Sequence, residues 1–329
     1  MATTKVRGQL VDLNEAASES GLKMPSGTEF NRPTDATGQI RNNTNETSES
    51  SASAMEYYNG TEWKKISNTA LPTFDFLVVA GGGGGGAPNS NTRAAGSGGA
   101  GGLRTSYGTT SGGGCAAEAA PTLFPGTTYT ITVGTGGAAG TYNGNLYRSG
   151  NQGNDSSIAA SGITTITSTG GGSGGGTLSG GGAGGSGGGR GAGGGTGGGA
   201  GTACQGYDGG YDPAALVGGA GGGAAGVGGF NVGSAGPGLS VSITGSAVTY
   251  ATGGDGAGNN TIPSSSTPNT GQGGQGSGNY QSGASGASGV VILRLPTAKY
   301  TGTTTGSPTV TTDGSDTILT YTGSGTYTA

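Results

Sequence analysis

Histidine is absent from all 329 residues. That removes the Ser–His–Asp and Cys–His arrangements of nucleophilic catalysis and every histidine-ligated zinc site. Cysteine is scarce: Cys115 and Cys204 are the only two, too few for an all-thiolate zinc site or a disulfide scaffold. They either pair with each other or remain two thiols. Charge is scarce as well, at 9 % of residues with a net charge of −4. No basic stripe is present to neutralise phosphates, so nucleic acid is not an expected partner. Long apolar runs are missing. No stretch approaches the roughly 18 residues of a membrane-spanning helix, and the opening residues carry no apolar core of a secretory signal. The expectation is assembly in a cytoplasm and release by lysis.

What fills the space is glycine, 83 residues of the chain. It is gathered into runs at 81–86, 98–102, 170–176, 180–201 and 218–229. Disordered chains usually couple low hydrophobicity to high charge; here hydrophobic residues make up 30 % and charge is low too. Such a chain is either a flexible Gly/Ser linker or an ordered body held by backbone hydrogen bonds. Short β-rich stretches at 74–80, 127–133, 158–167, 239–248 and 290–295 are interleaved with the runs, which favours order. The runs lack collagen's strict register of glycine at every third position. They can still form extended left-handed helices with three residues per turn, bundled side by side because no Cβ holds them apart. Ordering that much glycine is entropically costly, so the segments must satisfy one another's N–H and C=O groups.

Three regions follow. Residues 1–70 hold more than half of the charged residues and the only tryptophan. Asp12 or Asn14 can cap a short helix over 12–17, residues 38–42 and 55–66 read as strands, and Asn59-Gly60 is a strong hairpin signal. Met55, Tyr57, Tyr58, Trp63 and Ile66 supply too little apolar area for a robust monomer, and oligomerisation through them is expected. Residues 71–296 form the glycine-rich body, in which 74–80 and 290–295 are the most apolar strands and are expected to pair. Residues 297–329 form a β tail with a hairpin at Asp313-Gly314 that completes the main sheet or makes a small unit of its own. The fold class is mainly β: a small N-terminal β-hairpin unit, then a body of short strands and packed polyglycine-II-like segments.

The body's acids are few. Asp208 and Asp212 lie in the stretch Tyr-Asp-Gly-Gly-Tyr-Asp, which reads as a metal site, as a carboxylate pair or, more simply, as two turn aspartates. No DxDxDG calcium loop is present, and neither a metal nor a cofactor is expected. The glycines at 81–86 are followed by Ala87-Pro88 rather than Lys-Ser/Thr, so they are no Walker A loop. The chemistry that remains is recognition. Tyrosines emerge from glycine-rich loops beside Asn and Gln, a composition suited to stacking on sugar faces and to adaptable contact surfaces. The candidates are Tyr142 and Tyr147 on the turn 141–151, and Tyr207, Asp208, Tyr211 and Asp212 on the turn 204–212.

Two segments carry a resemblance. Gly38-Gln39-Ile40-Arg41-Asn42-Asn43-Thr44, followed by Met55-Glu56-Tyr57-Tyr58-Asn59-Gly60-Thr61-Glu62-Trp63, resembles a G-x-I-R-[YF]-N-[TS] … E-x-Y-x-G-x-x-W unit of tail-fibre and other virion proteins of tailed bacteriophages, particularly those of marine cyanobacteria. Asn42 stands where that pattern has an aromatic residue. The body, from Phe76-Leu77-Val78-Val79-Ala80 and its glycines to residues 289–295, looks like the glycine-rich domain of phage fibre and adhesin proteins. The resemblance implies a homotrimeric virion appendage whose N-terminal region lies near the particle and other virion proteins. The body would then face the host, with packed polyglycine helices whose loops bind lipopolysaccharide or an outer-membrane protein. A capsid-decoration protein without a receptor role is the alternative, and a polysaccharide depolymerase is a more distant third.

Overall fold

The structure, a computed structural model, describes residues 26–27, 40–43, 54–59, 61–65, 71–89, 93–144, 148–194, 197–213, 217–230, 232–278 and 280–329. The chain divides into two units, Met1–Ala70 and Leu71–Ala329.

In the first unit, β1 (Ser26–Gly27), β2 (Ile40–Asn43), β3 (Ala54–Tyr58) and β4 (Trp63–Lys65) form one sheet in that order. The β3–β4 hairpin pairs Tyr58 with Trp63 and Tyr57 with Lys64. Its turn is held by Asn59, whose side-chain oxygen accepts the N–H groups of Thr61 and Glu62 at 2.9 Å. This is the local bonding that makes asparagine a turn residue. The rings of Tyr58 and Trp63 pack at 5.5 Å. Across β2 and β3, Ile40 opposes Tyr57, and Ile40, Met55 and Tyr57 are exposed by 43, 44 and 41 %. The helix expected over 12–17, and Ile66, lie outside the described residues.

The second unit is built on two five-stranded sheets. After β5 (Asp75–Val79) and β6 (Leu103–Thr105) come β7 (Thr128–Thr132), β8 (Ser156–Ala159), β9 (Ile166–Ser168), β10 (Leu239–Val241), β11 (Val248–Tyr250) and β12 (Val290–Pro296). The last strands are β13 (Thr303–Thr305), β14 (Thr309–Asp313), β15 (Asp316–Tyr321) and β16 (Gly325–Thr328). One sheet runs β14-β15-β12-β5-β6 and the other β13-β16-β7-β8-β9, and β10 and β11 pair as a separate hairpin. As the sequence predicts, β5 and β12 are neighbours, in antiparallel register from Val79↔Val290 to Asp75↔Arg294.

The β5–β12 sheet is covered on both faces. Phe76, Val78, Val291, Leu293, Leu319 and Tyr321 meet Tyr129, Ile131, Ile158 and Tyr327 of the second sheet. Leu77, Val79, Val290, Ile292 and Ile318 pack instead against Val241, Ile243 and Tyr250 of the β10–β11 hairpin. A strand buried on both sides reads as a continuous apolar run, which is why β5 and β12 are the most hydrophobic stretches of the chain. By contrast β7, covered on one face, alternates Thr-Tyr-Thr-Ile-Thr with only Tyr129 and Ile131 buried.

Two strand expectations need correction. Residues 158–167 turn back on themselves: β8 and β9 are antiparallel partners around Gly162, whose φ of +87° suits glycine. Residues 239–248 likewise bend between β10 and β11, where Gly245 donates to Ser242 at 2.9 Å. The tail 297–329 belongs to the same unit as the body, with β14 and β15 in one sheet and β13 and β16 in the other.

From the strand ends the chain passes directly into glycine. Residues 81–86 follow β5, and their hydrogen bonds rotate with a period of three. Gly81 and Gly84 donate to Asn154 and Asn151, Gly82 and Gly85 to Ala287 and Ala284, and Gly83 and Gly86 to Gly99 and Gly96, at 2.9–3.0 Å. Their carbonyls accept with the same period. Gly171 and Gly174 donate to Gly81 and Gly84, Gly137 and Gly140 to Gly82 and Gly85, and Gly274 and Ser277 to Gly83 and Gly86, at 2.8–3.3 Å. One three-residue-per-turn helix is thereby surrounded by six others, three accepting from its N–H groups and three donating N–H groups to its carbonyls. Residues 94–102, 184–192 and 218–224 are surrounded in the same way.

The packing demands glycine because there is no room for Cβ. A methyl on Gly81 would overlap the Thr135 carbonyl, one on Gly84 that of Ala138, and one on Gly98 that of Gly83. The hydrogen that takes this place points at a carbonyl oxygen, a weak but repeated contact. At the edge of the lattice, side chains replace backbone. Gln272 and Gln275, three residues apart, accept the N–H groups of Thr267 at 2.7 Å and Ser264 at 3.0 Å, fixing segment 262–268 to the bundle.

Candidate functional site

The hydrogen-bond pattern gives the bundle two ends. At the β end, Gly102 bonds Thr169, Gly185 bonds Gly170 and Leu103 bonds Gln205. Far from the strands, Ala87 bonds Arg148, Ala95 bonds Ser277, Ala192 bonds Ala94 and Arg190 bonds Gly210. The turns that join the helices at this distal end carry the exposed aromatic residues.

The expected turn 204–212 is in fact a lattice segment: Tyr207 bonds Gly223, Gly209 bonds Gly199 and Gly210 bonds Ala220. It separates the two tyrosines by about 12 Å along the axis, at about 3.1 Å per residue. Tyr207 is half-buried, with its hydroxyl beside Gly114 at the β end. Nearby, Cys115 and Cys204 form a disulfide with Cα atoms 5.1 Å apart, fastening the β6–β7 connection to the bundle. Tyr211 reaches the distal end. It is 42 % exposed, meets Phe230 edge-on at 5.6 Å and has the Arg190 guanidinium 5.2 Å from its ring centre.

The two aspartates serve backbone. Asp208 accepts the Gly201 N–H at 2.8 Å and Asp212 that of Val217 at 3.0 Å, while the Asp212 carbonyl also accepts from Arg190. Among the described residues no three His, Cys, Asp or Glu side chains converge as a metal site. Tyr142 is half-buried and lies on a second distal turn, 5.4 Å from the ring of Tyr280; its N–H donates to the Ser282 hydroxyl at 3.0 Å. Tyr147 lies outside the described residues.

Sequence reasoning named Tyr142 and Tyr211 as site residues but did not find their partners, Tyr280 and Phe230. In the body, the exposed large aromatics Tyr211, Phe230 and Tyr280 all belong to distal turns. In the sandwich Phe74, Phe76, Tyr129, Tyr321 and Tyr327 are buried and Phe124 and Tyr300 half-buried, and the hydroxyls of Tyr129, Tyr321 and Tyr327 donate to the carbonyls of Thr122, Thr326 and Lys299. Desolvation by burial raises the pKa of each of these three above the ordinary tyrosine value. The arrangement can display rigidly held rings at one end.

No curated protein sequence matches the chain. A family described as a glycine-rich domain matches residues 59–296, a span that takes in β5 to β12 and every helix of the glycine lattice, and the chain belongs to that family.

Proposed function

We propose that this protein is a virion appendage of a tailed bacteriophage, a tail fibre or adhesin, and that the distal turns of its glycine lattice recognise the host cell surface. The observation that carries the reading is the segregation of aromatics among the described residues of the body: buried or half-buried at the β end, whereas the exposed ones, Tyr211, Phe230 and Tyr280, lie at the distal end in ring pairs. A binding surface built from stiff supports loses less entropy when it engages a partner. A lattice whose inner helices each have six neighbours is such a support, and exposed tyrosines are the side chains from which binding hot spots are drawn. The N-terminal resemblance to virion proteins sets the particle side. The exposed Ile40, Met55 and Tyr57 of the first unit supply an apolar face for self-association as a homotrimer. The partners are other virion proteins on one side, and surface polysaccharide or an outer-membrane protein on the other. The protein binds and does not catalyse.

A density map of the intact particle tests the reading. Trimeric density for this chain at a tail tip supports it. Density spread over the capsid surface replaces it with the decoration reading.

A further inference from the structure

The ridge formed by residues 282–289 reads Ser-Gly-Ala-Ser-Gly-Ala-Ser-Gly, a period of three that matches the helix. Each residue class faces one neighbour. Gly283 and Gly286 donate to Gly140 and Gly137, and Ala284 and Ala287 to Gln275 and Gln272. The N–H groups of the serine class, Ser282, Ser285 and Ser288, have no acceptor among the described residues. They point along the third direction, away from the lattice. Between this ridge and segment 262–268 lies an open groove of about 690 Å³ lined by the three serines, Ile262, Pro263 and Gln281 among others, with no charged side chain. That volume is within the range of small-ligand sites.

The groove begins beside the Tyr142–Tyr280 pair. Tyr280 is 43 % exposed and has a φ of +58°, a backbone conformation in which glycine would be unstrained. In a chain this rich in glycine, the distal turn holds an exposed tyrosine at a position that favours glycine.

We propose that this groove binds a neutral oligosaccharide, with a sugar ring on the Tyr142–Tyr280 pair and the chain running along the serine ridge. The ligand class follows from the lining. A neutral wall calls for an uncharged ligand. The unpaired N–H groups match sugar hydroxyls; the Ser282 and Ser285 hydroxyls, which accept the N–H groups of Tyr142 and Ala139, keep a proton to donate, while the Ser288 hydroxyl is engaged with Asn269. Ile262, Pro263 and the tyrosine rings match the apolar faces of the sugar. The inference deepens the adhesin reading by naming its substrate class.

The test uses the intact chain and neutral hexasaccharides of glucose, galactose and mannose, followed by saturation-transfer NMR and tyrosine fluorescence titration. At least one hexasaccharide saturates the wild type. Tyr280→Gly and Tyr142→Ala each weaken that binding by tenfold or more, and Tyr280→Gly keeps or raises Tm because the turn is relieved of strain. Absence of binding by all three sugars, or unchanged binding by both variants, overturns the proposal. So does a lowered Tm for Tyr280→Gly, which makes the ring a packing element. A parallel assay of blocked particle adsorption separates the two claims. If Tyr280→Gly blocks as well as wild type, the groove falls and the adhesin reading stands. If the wild type binds the sugar but blocks nothing, the groove stands and the adhesin reading falls.

Discussion

Replacing Gly84 by alanine, elsewhere a conservative change, should strongly destabilise the body. Ordinarily a Gly→Ala change at a compatible site stabilises a protein by about 0.4–1 kcal/mol, because alanine has less unfolded-state freedom. At Gly84 the added methyl would overlap the Ala138 carbonyl. The helices must separate, and Gly84 exchanges hydrogen bonds of 2.9 Å with two of them, donating to Asn151 and accepting from Gly174. Overpacking costs about 1–3 kcal/mol, and each buried polar group left unpaired costs about 1–3 kcal/mol more. With one polar group left unpaired these sum to about 2–6 kcal/mol, and to about 1–6 kcal/mol once the alanine gain is subtracted, a large fraction of the roughly 5–15 kcal/mol that stabilises a typical protein. Gly323 is the control, since no atom lies within 4 Å of the position its Cβ would take. Urea denaturation of both variants should show a much lower midpoint for Gly84→Ala and an unchanged or higher one for Gly323→Ala. Equal stability of Gly84→Ala and wild type would refute the lattice.

Four further outcomes follow. Reduction of Cys115–Cys204, which closes a loop of 89 residues, should lower stability by about 4–5 kcal/mol on the chain-entropy account; a thermal scan with and without reductant checks it, and identical transitions would remove the tie. The raised pKa values of Tyr129, Tyr250, Tyr321 and Tyr327, caused first by desolvation, make the unfolded chain lose these protons first. Stability should therefore be intact below about pH 10 and fall as pH rises further, with the tyrosinate absorbance of these four residues arriving together with unfolding; their smooth ionisation in the folded protein would contradict it. Solution mass measurement at micromolar concentration should give a trimer, and Met55→Glu with Tyr57→Glu should give a monomer, whereas a monomeric wild type sinks the self-association proposal. Gln275→Ala should expose the amides of segment 262–268 to faster hydrogen exchange, because Gln275 accepts from Ser264; unchanged exchange would mean that the segment is held otherwise.

What could be read in advance depended on how local each signal was. The β5–β12 pair was legible because burial on both faces writes an unbroken apolar run. The turns at Asn59 and at Gly314, whose φ is +58°, were legible because turn chemistry is carried by two or three adjacent residues. The hairpins inside 158–167 and 239–248 were not, since each turn is marked by a single glycine, Gly162 or Gly245, between short flanks of small, Thr and β-branched residues. That the runs would bundle was legible from glycine's missing Cβ. Which run touches which was not, because a glycine has no side chain to encode a neighbour. Where side chains remain the period of three is visible, in Ser282-Gly283-Ala284 and its repeats and in the Gln272/Gln275 spacing, and a search at that period would have found both. At the candidate site, Tyr207 and Tyr211 looked like one loop because four residues are close in sequence, but an extended helix carries them toward different ends. The pairing of Phe230 with Tyr211 and of Tyr280 with Tyr142 is a product of the lattice alone.

The central claim is that the distal end of the glycine lattice meets the cell surface, and competition for adsorption tests it most directly. Cells on which the particle grows are incubated with the purified chain before the particle is added. The account predicts that the wild type blocks adsorption. It also predicts that a folded Tyr211→Ala, Phe230→Ala variant blocks at least tenfold less well, given losses of about 2 kcal/mol for a truncated hot-spot aromatic. Adsorption unaffected by saturating wild-type protein would contradict the account.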